Sequence, residues 1–193
     1  VAVAIYLTLD TCSTAVDALL ETRQYMYDGH KYVRVTISAP DVDADDVVVR
    51  RARRADLLAI VRIENASFPQ PWPYDAFETF LGEPGFLVAV TDDDRIVGYV
   101  VADVTTTHGR SIGHIKDIAV HPACRGRGVG SRLLTRSFVT LASHGADSVK
   151  LEVRKSNEDA KRLYREYGFE SLRRIRGYYD DDEDAIIMVR ELE

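Results

Sequence analysis

Little in this chain points to metals, disulfides or membranes. Only two cysteines, Cys12 and Cys124, occur in 193 residues, and they lie far apart. That leaves neither a disulfide framework nor a cysteine-based metal site. Five histidines are scattered without ligand spacing, so no metal is expected. No apolar run approaches the roughly 18 residues that span a bilayer. The apolar residues 1–9 stop at Asp10 with no basic stretch before them, and read as a strand rather than a signal peptide. A cationic excess is lacking too. Net charge is −6, and residues 1–47 hold 8 acidic against 3 basic side chains, so the remainder is near neutral. That excludes general nucleic-acid binding through a basic face.

What is there is a soluble-type composition, 46% hydrophobic and 29% charged, long enough for one domain with a core. Residues 11–27 read as a helix capped by Thr11 or Ser13, and 31–37 alternate as a strand. The acidic stretch 40–46 marks a boundary between an N-terminal extension of unknown role (1–46) and a domain over 47–193. Within the domain, strands are expected at 47–50, 86–90, 96–101, 112–120, 149–153, 170–178 and 185–190. Helices are expected at 56–65, 74–81, 129–141 and from a cap at Asn157 to Gly168. Three prolines between Phe68 and Pro73 break the first helix from the second. The alternation gives a mixed α/β (α+β) sheet covered by helices.

One turn stands out. The apolar run Ile118-Ala119-Val120 leads into Arg125-Gly126-Arg127-Gly128-Val129-Gly130, and a helical pattern follows at once. A glycine-rich loop opening a helix gathers free N–H groups at a positive dipole end, which suits an anion. Two arginines add forked donors for phosphate. It is not a Walker loop, since no Gly-Lys-Ser/Thr follows, and its glycine spacing is a poor match to a dinucleotide fingerprint.

Arg125-x-x-Gly128-x-Gly130 behind Ile118-Ala119-Val120 resembles the coenzyme A loop of the GNAT acetyltransferase superfamily. Leu151-Glu152-Val153-Arg154-Lys155-Ser156-Asn157, Ala160-x-x-Leu163-Tyr164-x-x-x-Gly168-Phe169, and Gly177-Tyr178-Tyr179 with Asp184 to Met188 resemble its RimI-like and archaeal N-terminal protein acetyltransferases. Phe68-Pro69-x-Pro71-Trp72 is similar to a Phe-Pro-Trp segment of the same group. The resemblance spans roughly 48–190. It implies a mostly antiparallel sheet that splits near the cofactor strand, and acetyl-CoA as co-substrate without a metal. It also implies a cytoplasmic enzyme acting on protein N-termini, ribosomal proteins included.

Residue by residue, the resemblance implies that Ile118, Ala119 and Val120 offer backbone to pantetheine and thioester. Arg125, Gly126, Arg127, Gly128, Val129, Gly130 and Ser131 would cradle the pyrophosphate, and Asn157 would bond the cofactor further along. Glu152 takes the position of the base and Tyr164 that of the acid. Glu64, Phe68 and Trp72 would form one wall of the acceptor groove, with Glu64 in place to contact the incoming ammonium or share the base role, and Tyr178 and Tyr179 the other. His114, His121, Cys124 and Tyr167 read as structure. An α-amine with pKa near 8 costs about 1.4 kcal/mol to deprotonate at pH 7, a lysine near 10.4 roughly 4.6 kcal/mol. A carboxylate base therefore favours the α-amine. Lysine or small-amine acetylation, a non-catalytic coenzyme A-binding module and a nucleotide-binding domain are the competing readings.

Overall fold

The computed structural model describes residues 20–27, 31–38, 46–107 and 109–192. Its N-terminal part is a hairpin, β1 (Leu20–Tyr27) and β2 (Lys31–Ser38), in antiparallel register from Leu20↔Ser38 to Tyr27↔Lys31. The helix expected over 11–27 is therefore a strand across 20–27; residues 11–19 and the strand read at 1–9 lie outside the described residues. Leu20 to Tyr27 alternates as well as it spirals, and Asp28-Gly29 behind it is a hairpin-turn pair. Pairing with a partner strand decides between two such periods, and a single segment does not display its partner.

The main body is a seven-stranded sheet. It comprises β3 (Val47–Arg51), β4 (Leu87–Thr91), β5 (Ile96–Thr107), β6 (Arg110–Val120), β7 (Ser148–Arg154), β8 (Glu170–Ile175) and β9 (Ala185–Glu191). The spatial order is β3-β4-β5-β6-β7-β9-β8, and every neighbouring pair is antiparallel except β6 with β7. Four helices cover it: α1 (Leu57–Ser67), α2 (Tyr74–Glu78), α3 (Val129–Ser143) and α4 (Glu158–Glu166). A parallel pair needs a crossover, and α3 supplies it.

Two adjacent residues of β5 show how the layers divide. The Cβ position of Gly98 faces Leu133 of α3. The next residue, Tyr99, meets Glu64 of α1 and stacks edge-on with Phe77 of α2 at 5.4 Å. Neighbours on a strand point to opposite faces, so α3 covers one face and α1 with α2 the other. Val129, Leu133, Leu134 and Leu141 of α3 are fully buried, each such side chain contributing roughly 1.5–3 kcal/mol of hydrophobic stabilisation. Phe138 joins α3 to the α4 end through Tyr167 and Phe169, with ring centroids at 5.9 and 5.7 Å.

The feature that positions the site is where β6 and β7 stop pairing. Their parallel register runs from Ile112↔Ser148 to Ile115↔Leu151 and ends there. Residues 117–120 go on pairing with β5 alone. The β7-facing backbone edge of Ile118, Ala119 and Val120 therefore has no strand partner among the described residues.

Candidate active site at the parting of two strands

Glu152 lies one residue beyond the last paired position of β7. It is 5% exposed. Its Oε2 lies 2.6 Å from His114 Nε2, and Lys150 Nζ approaches Oε1 at 3.4 Å. A carboxylate only accepts, so His114 donates through Nε2 while its Nδ1 faces Lys116 Nζ at 3.4 Å. Burial pushes the Glu152 carboxyl up, but the His114 hydrogen bond and charge and the charge of Lys150 outweigh it and hold the group below its usual value. Glu152 is thus a buried anion at neutral pH. His114, which a lone-histidine reading sets aside, belongs to this centre. Its register opposite Lys150 puts it beside Glu152, a neighbourhood visible only once the parallel pairing is known.

Tyr164 of α4 is fully buried, and its hydroxyl has no hydrogen-bond partner among the described residues. Burial raises its pKa well above normal, and a negative charge on Asp117 would raise it further, so it stays a donor. Tyr179 Oη and Asp117 Oδ1 are also buried and unpartnered. Each such atom costs about 1–3 kcal/mol. Orphan oxygens electrostatically linked in this way are what a site built for a ligand looks like.

The tyrosine pair comes from the loop before β9. Tyr178 and Tyr179 meet edge to face at 5.2 Å. Burial and then the charge of Glu152 raise the Tyr178 phenol, which places this wall within electrostatic reach of Glu152. The loop is held by Arg154, 2% exposed, whose Nη1 donates to Asp181 and Glu183 at 2.8–2.9 Å while its guanidinium lies 4.1 Å from the Tyr179 ring centre.

On the other wall the structure redefines three residues. Phe68 and Trp72 are buried, and Trp72 packs against Phe77 and Phe80 at 5.5 and 5.7 Å. Glu64 is 2% exposed; Oε1 accepts the Trp72 backbone N–H at 2.7 Å and Oε2 the Tyr99 hydroxyl. These side chains shape the wall from behind. Tyr99 and Asp117 escaped sequence reasoning; the one available signal was a lone acid in the apolar run before Val120.

The glycine-rich loop follows β6. His121 Nδ1 accepts from Ala123 N at 3.3 Å, capping the short turn Pro122–Cys124. Arg125 Nε donates to Val120 O and its Nη2 to Ser67 Oγ, both at 3.0 Å, so this arginine ties the loop to β6 and α1. Gly126 and Gly128 have φ of +73° and +78°, left-handed values that favour glycine. Gly128 is the N-cap of α3, and with no side chain there the first N–H groups of Val129, Gly130 and Ser131 stay open. Asn157 is the N-cap of α4, its Oδ1 accepting Ala160 N at 3.0 Å. The unpaired strand edge, the left-handed loop and the open helix start fit a pyrophosphate-bearing thioester. Alanine at both 126 and 128 would cost about 1–2 kcal/mol per left-handed residue. We expect the KM for acetyl-CoA to rise at least about tenfold with kcat little changed, read by initial rates.

Residues 57–169 match the Acetyltransferase (GNAT) family. The chain is 33% identical over 158 residues to an N-alpha-acetyltransferase of Saccharolobus solfataricus, covering 76% of this chain and 94% of the relative. It is 34% identical over 136 residues to the [ribosomal protein bS18]-alanine N-acetyltransferase of Salmonella typhimurium, covering 69% and 89%. Among solved structures, Ard1 from Thermoplasma volcanium superposes with a TM-score of 0.70 at 27% identity, over 77% of this chain and 99% of that one. The ribosomal-protein-S18-alanine N-acetyltransferase of Escherichia coli gives 0.68 at 28%, over 76% and 94%.

Proposed function

Since the chain belongs to the Acetyltransferase (GNAT) family and is an acetyl-CoA-dependent N-acetyltransferase, we propose that its acceptor is the free α-amino group of a protein N-terminus. Acetyl transfer to protein N-termini is what its relatives are named for. The observation that carries the α-amine is the geometry of Glu152, a buried carboxylate hydrogen-bonded by His114 at 2.6 Å at the parting of the strands. At pH 7 an α-ammonium near pKa 8 costs about 1.4 kcal/mol to deprotonate and a lysine roughly 4.6 kcal/mol, so a carboxylate base suits the former.

When bound, acetyl-CoA supplies an activated carbonyl and a thiol leaving group. The chain's own parts then act in turn. Glu152, oriented by His114, takes the ammonium proton. The amine attacks directly in a ternary complex, with no covalent enzyme intermediate. The unpaired N–H edge of Ile118 to Val120 meets the negative charge that develops on the carbonyl oxygen, a large term when donors are fixed in advance. Tyr164 gives its phenolic proton to the departing sulfur and regains one from the nitrogen, which sheds its second proton as the amide forms. Tyr178 and Tyr179 line the acceptor side, and Glu64, Phe68 and Trp72 hold the opposite wall in shape. A cytoplasmic location goes with this reading, because new protein N-termini and acetyl-CoA meet there. A ribosomal-protein N-terminus is the first acceptor to try.

The test uses peptides of one sequence, N-terminus free or blocked, each with an internal lysine. Turnover on the free end alone is expected. Equal turnover on blocked peptides would move the acceptor to lysine.

A further inference from the structure

Behind the reacting groups sits a buried trio to which the mechanism gives no part in moving a proton. Glu64 of α1, Tyr99 of β5 and Asp117 of β6 are 2%, 0% and 1% exposed. Tyr99 Oη lies within hydrogen-bond distance of both acids, 2.7 Å from Asp117 Oδ2 and closer still to Glu64 Oε2. No lysine, arginine or histidine pairs with either acid among the described residues. A tyrosine hydroxyl has a single proton. It can donate to one carboxyl and must accept from the other, so one of the two acids carries a proton.

The partners say which. Glu64 receives two donors, the Trp72 N–H at 2.7 Å and the Tyr99 hydroxyl, which suits a carboxylate. Asp117 touches Tyr99 through Oδ2 alone, and its Oδ1 is an orphan. Burial and then the charge of Glu64 push the Asp117 carboxyl well above its ordinary range, and the Tyr99 hydrogen bond offsets this only in part.

We propose that Asp117 is a positioning residue held neutral by the chain Asp117–Tyr99–Glu64, so that the trio's one negative charge rests at Glu64, behind the acceptor wall, and none rests beside Tyr164. The consequence follows from what forms there. Transfer creates negative charge on the thioester oxygen and on the leaving sulfur. Asp117 and Tyr164 each bury an unpartnered oxygen, and a charge on Asp117 would raise the Tyr164 phenol. An ionised Asp117 would make that phenol a poorer donor and repel the charge it has to quench. Glu64, by contrast, keeps its charge where the Trp72 backbone needs an acceptor. The titratable groups that bear on Asp117 are Glu64 from α1 and Tyr99 from β5, and Asp117 in turn bears on Tyr164 of α4.

This rests on the proposed role of Tyr164, and the experiments keep the two apart. Infrared difference spectra of the cofactor-free protein at neutral pH locate the proton through the carbonyl band of a protonated carboxyl. Wild type should show the band, and it should shift when the aspartate carboxyls carry carbon-13 and stay in place when the glutamate carboxyls do. Absence of the band, or a shift with labelled glutamate alone, overturns the placement; D117N, where it folds, should lack the band. The kcat profile tests the consequence. As pH rises, wild type gains a second charge at Asp117 and should lose kcat, whereas D117N has no carboxyl to ionise and should hold kcat to higher pH. Identical profiles, or an earlier fall in D117N, overturn the role in catalysis. Tyr164→Phe separates the premises: wild-type turnover in that variant removes the acid assignment without touching the infrared result.

Discussion

Glu152→Gln should turn over at least about a hundredfold more slowly than wild type at pH 7, and the deficit should shrink as pH passes the amine pKa near 8. Gln keeps the size and the acceptor oxygen facing His114, so the fold is spared and only proton uptake is lost. The sign of the pH effect follows from the site. Glu152 is held low by His114 and Lys150 against its burial, so the carboxylate stays ionised well into the acid range. The acid limb of wild-type kcat/KM must then report the acceptor ammonium, with activity rising as that group loses its proton. Above its pKa the base has less to do, and the variant catches up. Rates from pH 6 to 9.5 on a free N-terminal peptide check this. A deficit equally large at every pH would make Glu152 a structural partner of His114 instead of a base.

Which parts of this were legible in the sequence follows from the range of the interactions. Strand and helix positions within the domain follow from local periodicity, and the described elements lie close to them, from Val47–Arg51 to Ala185–Glu191. The left-handed turn at Gly126 and Gly128 was legible because glycine is the local signature of that backbone. β1 was not, because a strand is decided by its partner. The two acids of the trio stand 53 positions apart in sequence, by subtraction of their numbers, and only α1 packing on β5 and β6 brings them to one hydroxyl. His114 and Glu152 likewise meet across a parallel pair whose crossover is a whole helix. Glu64, Phe68 and Trp72 were expected in the groove by resemblance. All three are buried, and Glu64 accepts the Trp72 backbone N–H.

Tyr164→Phe should make the protein more stable and far less active. The hydroxyl is fully buried and has no partner among the described residues. Removing an unsatisfied buried polar group returns about 1–3 kcal/mol of desolvation cost. For a chain of this size each kcal/mol moves Tm by roughly 2–4 °C. The ring itself, packed 5.8 Å from Phe169, is kept. Activity should move the other way. The phenol is held protonated by its burial, and without it the thiolate leaves unprotonated, at a loss of about a hundredfold in kcat. KM for acetyl-CoA and for peptide should change little, since one hydroxyl aimed at a charge that exists only during transfer binds the ground state weakly. Calorimetry of the cofactor-free protein and steady-state rates measure the two halves separately. A variant that is both less stable and less active would mean that the hydroxyl was supporting the fold. A variant that is more stable and equally active would mean that the proton comes from elsewhere. Only gain in one with loss in the other identifies an atom whose lack of a partner in the free protein is the cost of having one in the transition state.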